Sequence, residues 1–313
     1  VWLAPSQNGR IEKMSGDWRE ELRRTLPHAL LDEPLARHTT FKIGGPADAF
    51  VEARDVAEVQ AALRAAGAAR KPVFVLGWGS NLLVKDRGVR GLVLRLAGEF
   101  ERVEFPGGGR VRAGAAVRVP QLVVACAEQG LSGLEPIVGV PGTVGGALAM
   151  NAGTRDGEIG PYVLEIEAAD LSENDVRKIP KADLAWGYRE GPLRGRVALR
   201  ALLLLKPGSK ADIMAVVARY QQKRAQTQPI HTYNVGSTFK NPPGRFAAKM
   251  IEELGLKGRS IGGARISPLH ANFIENFAGA KASDVLALVD LIRERVRAAS
   301  GVELELEMRV VGE

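Results

Sequence analysis

The segment Gly139-Val-Pro-Gly-Thr-Val-Gly-Gly-Ala-Leu-Ala-Met-Asn-Ala-Gly153 sets five glycines and one proline between two apolar stretches. Glycine permits φ > 0 and lets backbone amides approach a ligand with no Cβ in the way. A row of such amides forms a concavity that suits phosphate. A second glycine turn, Gly77-Trp-Gly-Ser-Asn81, follows the apolar run Pro72-Val-Phe-Val-Leu76, which predicts a strand. Alone, each turn reads as tight structural punctuation. Together, flanked by Ser80, Asn81 and Asn151, they suggest a ligand with a pyrophosphate, gripped from two sides.

Four polar clusters lie further on: Trp186-Gly-Tyr-Arg189, Asn234-Val-Gly-Ser-Thr-Phe-Lys-Asn241, Ser267-Pro-Leu-His-Ala-Asn272 and Glu305-Leu-Glu-Met-Arg309. Arg189 could clamp a carboxylate bidentately or sit on the surface. Ser237 follows a glycine but lacks the Gly-x-Ser-x-Gly elbow of hydrolases. A hydroxyl that donates a proton fits better than a nucleophile, and singly a turn serine with a local backbone bond fits best. Glu307, on the charged side of an alternating strand, reads singly as a solvated residue. These residues rise above the ordinary only as a set.

Composition narrows the classes. The 313 residues suit two or three domains, and 45% hydrophobic residues give a full core. A net charge of +7 suits acidic small ligands. Aromatic residues are only 5% and no basic tail appears, which argues against nucleic acid. No apolar stretch is long enough to predict a membrane span. Residues 1–13 show no apolar signal region, and Met14 is a candidate natural start. The lone Cys126 reads as a core residue in a reducing, cytoplasmic compartment. His28, His38, His231 and His270 lack metal-ligand spacing, so no metal is expected. Neither a Walker loop nor a Gly-x-Gly-x-x-Gly Rossmann turn is present.

The elements that must position these residues follow from periodicity. Trp18, Leu22 and Leu26 predict a short helix. Residues 40–96 predict a β–α–β unit, with Thr40–Val51 as a strand pair broken at Gly44-Gly-Pro46. Its helix is capped by Asp55 with Glu58, lined by Val56, Val59 and Leu63, and stopped at Gly67. Residues 97–206 predict short strands, with one helix near Val119–Gln129. Ser209 and Asp212 open a helix, residues 246–254 form another, and Ser283 caps the last, with Val285, Leu288, Val289, Ile292 and Val296 inward. A final strand alternates Leu304, Leu306, Met308 and Val310 with Glu303, Glu305, Glu307 and Arg309.

The set resembles a family. The two glycine loops, Thr40-Phe-Lys-Ile-Gly-Gly45, Gly187-Tyr-Arg189, Gly236-Ser-x-Phe-Lys-Asn-Pro242, His270-Ala-Asn-Phe-Ile274 and Glu307-Met-Arg309 occur in the order found in the UDP-N-acetylenolpyruvoylglucosamine reductases, flavoenzymes of peptidoglycan synthesis. The resemblance runs from about residue 35 to 312. It implies an α+β chain with the two-subdomain FAD-binding fold of the p-cresol methylhydroxylase/vanillyl-alcohol oxidase type, plus a C-terminal α+β substrate domain. Residues 1–34 would be an extension and helix, 35–96 with the last strand (303–313) the first FAD subdomain, 97–206 the second, and 207–302 the substrate domain.

The resemblance further implies non-covalent FAD held by Gly77, Gly79, Ser80, Asn81, Leu82, Pro141, Gly142, Thr143, Gly145, Gly146, Asn151, Ala152 and Gly153. NADPH would be the hydride donor and a UDP-sugar enolpyruvyl ether the substrate. Arg189, Ser237 and Glu307 would be the catalytic trio. Lys223 or Arg224, Lys240, Asn241 and His270 would meet the substrate's diphosphate, carboxylate or sugar. The short stretch from Arg189 to Ser237 resembles the subclass lacking a tyrosine-bearing closing loop. Trp78 departs from the family pattern, standing where a small residue is common. A monomer is expected. The rival readings are another FAD oxidoreductase of the same fold and a nucleotide-binding module without redox activity.

Overall fold

The computed structural model describes residues 2–3 and 17–313. The candidate start at Met14 lies outside them. The chain divides into two units. The first comprises the described residues up to Glu33, Asp48–Trp78 and Arg90–Gln222; the second comprises Pro34–Ala47, Gly79–Val89 and Lys223–Glu313.

In the first unit one sheet runs Trp2–Leu3, Val73–Val75, Val89–Leu96, Pro46–Ala53, Leu30–Pro34, with Val73–Val75 and Val89–Leu96 parallel. The helix Val56–Ala68 crosses over between strands, as the β–α–β pattern predicts. Asp55 accepts the Glu58 N–H at 2.8 Å, satisfying one of the orphan donors of the first turn. Glu58 reaches back to the Arg54 N–H at 2.8 Å. Val59, Ala62, Leu63 and Ala66 are its buried stripe. Gly67 lies inside the helix, and the left-handed residue beyond its end is Arg70, at φ 52°. The predicted pairing around Gly44–Pro46 is absent too: residues 40–45 are irregular and the strand begins at Pro46.

A second, antiparallel sheet of this unit has the order Val176–Pro180, Val163–Asp170, Arg196–Leu204, Arg110–Gly114, Val103–Gly107. Its residues alternate, as a sheet wet on one face requires. Val111, Ala113, Ile166, Ala168, Ala201 and Leu203 are buried in one core. Arg112–Glu104, Arg200–Glu167 and Lys178–Glu165 pair between strands at 3.3, 2.7 and 3.4 Å. The helices Val119–Glu128 and Val144–Met150 contribute Leu122, Val123, Val144 and Leu148 to that same core. Cys126 lies there, and burial pushes its thiol pKa up to about 12. The native protein is therefore expected to resist iodoacetamide at pH 8, where the urea-unfolded chain is alkylated; equal labelling of both would contradict this burial.

The helix Lys210–Thr227 starts in the same unit, because Ile213 and Val217 pack into its core. This differs from a substrate domain opening at residue 207.

The second unit is built on Phe41, Ile43, Leu83, Phe239, Ile251, Leu288, Ile292 and Met308. Ser260–Ile261, Ala264–Ile266 and Ile274–Asn276 form an antiparallel sheet, and Arg309–Val311 pairs in parallel with Leu82–Val84. The last strand thus belongs to this unit, with Leu304, Met308 and Val310 in or against its core. It is short, because residues 301–305 carry no ladder and Leu306 makes only a bridge to Phe239. The helix Ala282–Ser300 buries the predicted stripe Val285, Leu288, Val289, Ile292 and Val296. Its N-cap is Lys281, not Ser283. Asp284 accepts from the Lys281 and Gly263 N–H groups at 3.0 and 3.1 Å. Asp86 accepts from Ala282 and Ser283 at 2.8 and 3.1 Å. Two carboxylates at the positive end of the helix do more than one hydroxyl could.

Candidate active site

A cleft of about 330 Å³ lies in the first unit. Gly77, Trp78, Arg95, Arg118, Thr143, Gly145, Gly146 and Arg196 are among its lining residues. Both predicted glycine segments therefore meet in one cavity. The second is not simply a loop. Val144–Met150 is a helix whose N-cap, Thr143, accepts the Gly146 N–H through its hydroxyl at 3.3 Å. Val144 and Gly145 donate to Val117 and Ala115 carbonyls, both at 2.8 Å. The amides left for a ligand lie just before the helix. Gly77, Trp78, Gly142 and Thr143 N–H have no hydrogen-bond partner among the described residues. Gly142 sits at φ 151°, a conformation that favours glycine. A Cβ on Gly77 would lie 2.8 Å from Thr143 Oγ1. On Gly146, which lines the cleft, it would have ordinary room.

Three predicted cofactor residues do other work. Asn151 is 1% exposed, and its carboxamide donates to Gly187 O and accepts from Gly160 N–H, both at 3.1 Å. It holds the Gly187 turn instead of reaching into the cleft. Ala152 donates to Ala147 O, and Gly153 pairs with Glu158 in a small hairpin. The turn that Asn151 holds is closed by Gly187 N–H to Glu190 O at 2.8 Å and Glu190 N–H to Gly187 O at 3.1 Å. At its tip Arg189 is held at φ 58°, 5.2 Å from the exposed Tyr188 ring. Non-glycine residues rarely adopt that conformation, and it costs energy that the turn's two bonds offset.

The second unit carries Ser237 and Glu307. The Asn234 carboxamide closes the loop before Ser237, accepting from Gly236 N–H at 3.0 Å and donating to Pro229 O at 2.8 Å. Thr40 of the Thr40–Gly45 motif donates its hydroxyl to Asn234 O at 2.7 Å. Gly236 supplies φ 79° to this turn. Thr238 O then accepts the Glu307 N–H at 2.9 Å, and Lys240 N–H donates to Glu305 O at 2.9 Å. Asn272 clamps the same segment: its O accepts from Thr238 N–H, and its carboxamide bonds Phe239 N–H and O at 3.0 and 2.8 Å. Ser237 and Glu307 are thus neighbours on adjacent backbone, fixed from both sides. The Ser237 hydroxyl is half-buried and makes no hydrogen bond among the described residues. A turn-stabilising serine would have one. Glu307 is half-buried, unlike the exposed Glu303 and Glu305.

Asn81 donates its carboxamide to Glu307 O at 3.1 Å and its carbonyl accepts from Arg309 N–H at 3.0 Å. The Asn81 side chain therefore positions the carboxylate residue. Gly79 is packed against His38 and Thr39, Leu82 starts a strand, and Ser80 lies between them. Lys240 pairs with Glu305 at 3.1 Å. Asn241 caps the helix Ala247–Glu253, accepting from Ala247 N–H at 3.0 Å, which occupies its carbonyl. Lys223 and Arg224 end the helix Lys210–Thr227 and make no ion pair among the described residues.

His270 accepts the Asn272 N–H on Nδ1 at 3.3 Å, which puts its proton on Nε2. Burial, helped by Lys257, holds its pKa below the ordinary 6.5. The neutral ring is a hydrogen-bond donor at neutral pH. A folded pKa below the unfolded one means that stability is present above pH 6.5 and lost as pH falls through the folded value. Acidification from pH 7.5 to pH 5 is expected to lower the urea midpoint more in the native protein than in His270→Gln. Equal losses would show that His270 does not titrate this way.

Comparison with known proteins places this geometry. Residues 228–311 match the family model of the UDP-N-acetylenolpyruvoylglucosamine reductase C-terminal domain, and residues 47–175 match the FAD binding domain. The UDP-N-acetylenolpyruvoylglucosamine reductase of an Anaeromyxobacter strain is 44% identical over 95% of this chain and 93% of its own length. A second such reductase, from Symbiobacterium thermophilum, is 43% identical over 90% of this chain and 91% of its own. The chain belongs to the UDP-N-acetylenolpyruvoylglucosamine reductase family. The crystal structure of the Thermus caldophilus reductase superposes with a TM-score of 0.78 at 38% identity, covering 91% of this chain and 98% of that one.

Membership of this reductase family, with its FAD binding domain, makes FAD the group that the cleft must fit. The residues present suit it. Among the described residues the amides of Gly142 and Thr143 and the buried Nε of Arg118 are donors without acceptors. Arg118, Arg95 and Thr238 carry no local signal of this in the sequence. Thr238 is 1% exposed with an unpaired hydroxyl, one residue after Ser237. Among the described residues no cluster of His, Cys, Asp and Glu is placed to hold a metal, and no helix is long and apolar enough to cross a membrane.

Proposed function

We propose that this chain reduces the enolpyruvyl ether of UDP-N-acetylglucosamine-enolpyruvate to UDP-N-acetylmuramate, with NADPH as reductant and non-covalent FAD. When bound, FAD supplies the redox chemistry, taking a hydride from NADPH and delivering it to the substrate's methylene carbon. The cleft residues Gly77, Trp78, Thr143, Gly145 and Gly146, with the Gly142 amide beside them, hold the cofactor. Hydride addition leaves negative charge on the neighbouring carbon and its carboxylate. The Arg189 guanidinium stabilises that charge as a bidentate donor. Glu307 adds to this only if it carries a proton or bridges through a donor, because a bare carboxylate would repel the charge. Ser237 gives its proton to carbon 2, which completes the lactyl ether. Lys223, Arg224, Lys240 and His270 are the donors for the substrate's diphosphate, sugar and carboxylate. The enzyme acts as a monomer in the cytoplasm, where the lone buried thiol suits a reducing medium.

The observation that carries the reading is Ser237: a hydroxyl with no hydrogen bond among the described residues, backbone-tethered beside Glu307. The test is absorbance. Purified protein should be yellow, NADPH should bleach it anaerobically, and the UDP-sugar enolpyruvyl ether should restore the colour. Protein that is yellow and bleached but not restored would favour another FAD oxidoreductase of this fold. Colourless protein that binds FAD under no condition would favour the redox-free module.

A further inference from the structure

The glycine turn after strand Val73–Val75 carries a residue that departs from the expected pattern. Trp78 presents its indole to the cleft, and the Arg118 guanidinium carbon lies 3.4 Å from its ring centroid. That is face-on contact, a cation–π stack. Arg95 lies over the same ring at 5.4 Å and has Glu52 at 3.7 Å. Arg118 has no such partner: no carboxylate pairs with it among the described residues, and its Nε is buried without an acceptor. Burial and the neighbouring Arg95 both lower its pKa, which is the signature of a cation short of an anion.

Its backbone is fixed on the cofactor side. Val119 N–H donates to Gly142 O at 2.9 Å and Val144 N–H to Val117 O at 2.8 Å, so Arg118 and Thr143 form a bridge pair. Opposed residues of such a pair project to one face. Arg118 therefore shares its face with Thr143, whose hydroxyl lies against Gly77. A guanidinium lying over a ring face leaves its planar N–H fork at the rim free to pair with phosphoryl oxygens.

We infer that Arg118, held flat on Trp78, is a direct ligand of the FAD diphosphate, and that Trp78 is its positioning residue. The inference rests on the cofactor reading above, adds Arg118 to it and gives Trp78 its part in holding that arginine. Arg118 supplies the charge that neutral amides cannot, and the indole denies the side chain its other rotamers.

The test uses protein stripped of FAD and titrated with FAD and, separately, with riboflavin, which lacks phosphate. Arg118→Gln should weaken FAD at least about tenfold, while riboflavin binding stays within twofold. The salt dependence of FAD affinity should be shallower in this variant. Trp78→Ala should reproduce part of the loss, and Trp78→Phe, which keeps a ring under the guanidinium, should recover it. The fluorescence difference between wild type and Trp78→Phe should be quenched by FAD. Arg118→Gln that binds FAD within twofold of wild type, with unchanged salt dependence, overturns the inference. So does equal weakening of FAD and riboflavin, which marks a merely structural role. Wild-type protein that takes up no FAD would instead remove the cofactor reading beneath it.

Discussion

Ser237→Ala should leave the reduction of bound flavin by NADPH close to normal and lower overall turnover at least about a hundredfold. Among the described residues the hydroxyl makes no hydrogen bond, so its loss removes no bond from the described fold. Stability should change by no more than about 0.5 kcal/mol, as for substitutions away from buried networks. Loss of turnover with unchanged stability then reports chemistry. The variant could still exchange a flavin-derived deuterium into unreduced substrate, because hydride addition is reversible when no proton arrives. Stopped flow separates the half-reactions. Substrate reduction at a near-normal rate would remove Ser237 from its role. It would turn attention to a water or to Lys240, whose ammonium is engaged with Glu305 at 3.1 Å.

Gly146→Val should yield folded protein that purifies colourless or loses FAD on dialysis. Gly146 is in the first turn of the helix Val144–Met150 and lines the cleft. The nearest atom to an added Cβ is Thr143 Oγ1 at 3.6 Å, ordinary contact, so the fold has room for it. The branched carbons beyond would occupy cofactor space. Gly145→Val differs. There a Cβ would lie 3.1 Å from the Ala115 Cβ, so cofactor loss would be mixed with strain in the unit's core. Comparing the two by circular dichroism and flavin absorbance separates blocked binding from damaged folding. Full flavin in Gly146→Val would contradict the assignment of this turn.

Much of the architecture was legible because it rests on local periodicity. The stripes of Val56–Ala68 and Ala282–Ser300 are in the chain for anyone to count, and their cores are hydrophobic for the same reason. What was not legible depends on partners distant in sequence. Ser283 has the residue type of a cap, but Asp86, 196 positions before Ala282, takes the amide instead. Asn151 sits in a glycine-rich stretch that looks ligand-facing, yet its carboxamide is spent on Gly187 and Gly160. Asn241 belongs to a motif with Ser237 but caps a helix. The alternation predicts a longer last strand than the structure has, because it shows only that side chains face opposite ways, not that a neighbour exists. Arg118 had no local signal at all: its partner Trp78 is brought to it by the fold.

The measurement closest to the central claim is a single-turnover reaction of NADPH-reduced, NADP-free protein with the UDP-sugar enolpyruvyl ether, without oxygen. One equivalent of flavin should reoxidise, and the recovered UDP-sugar should be two hydrogens heavier by mass. Flavin that stays reduced in the presence of saturating substrate, with the sugar recovered unchanged, would contradict the account.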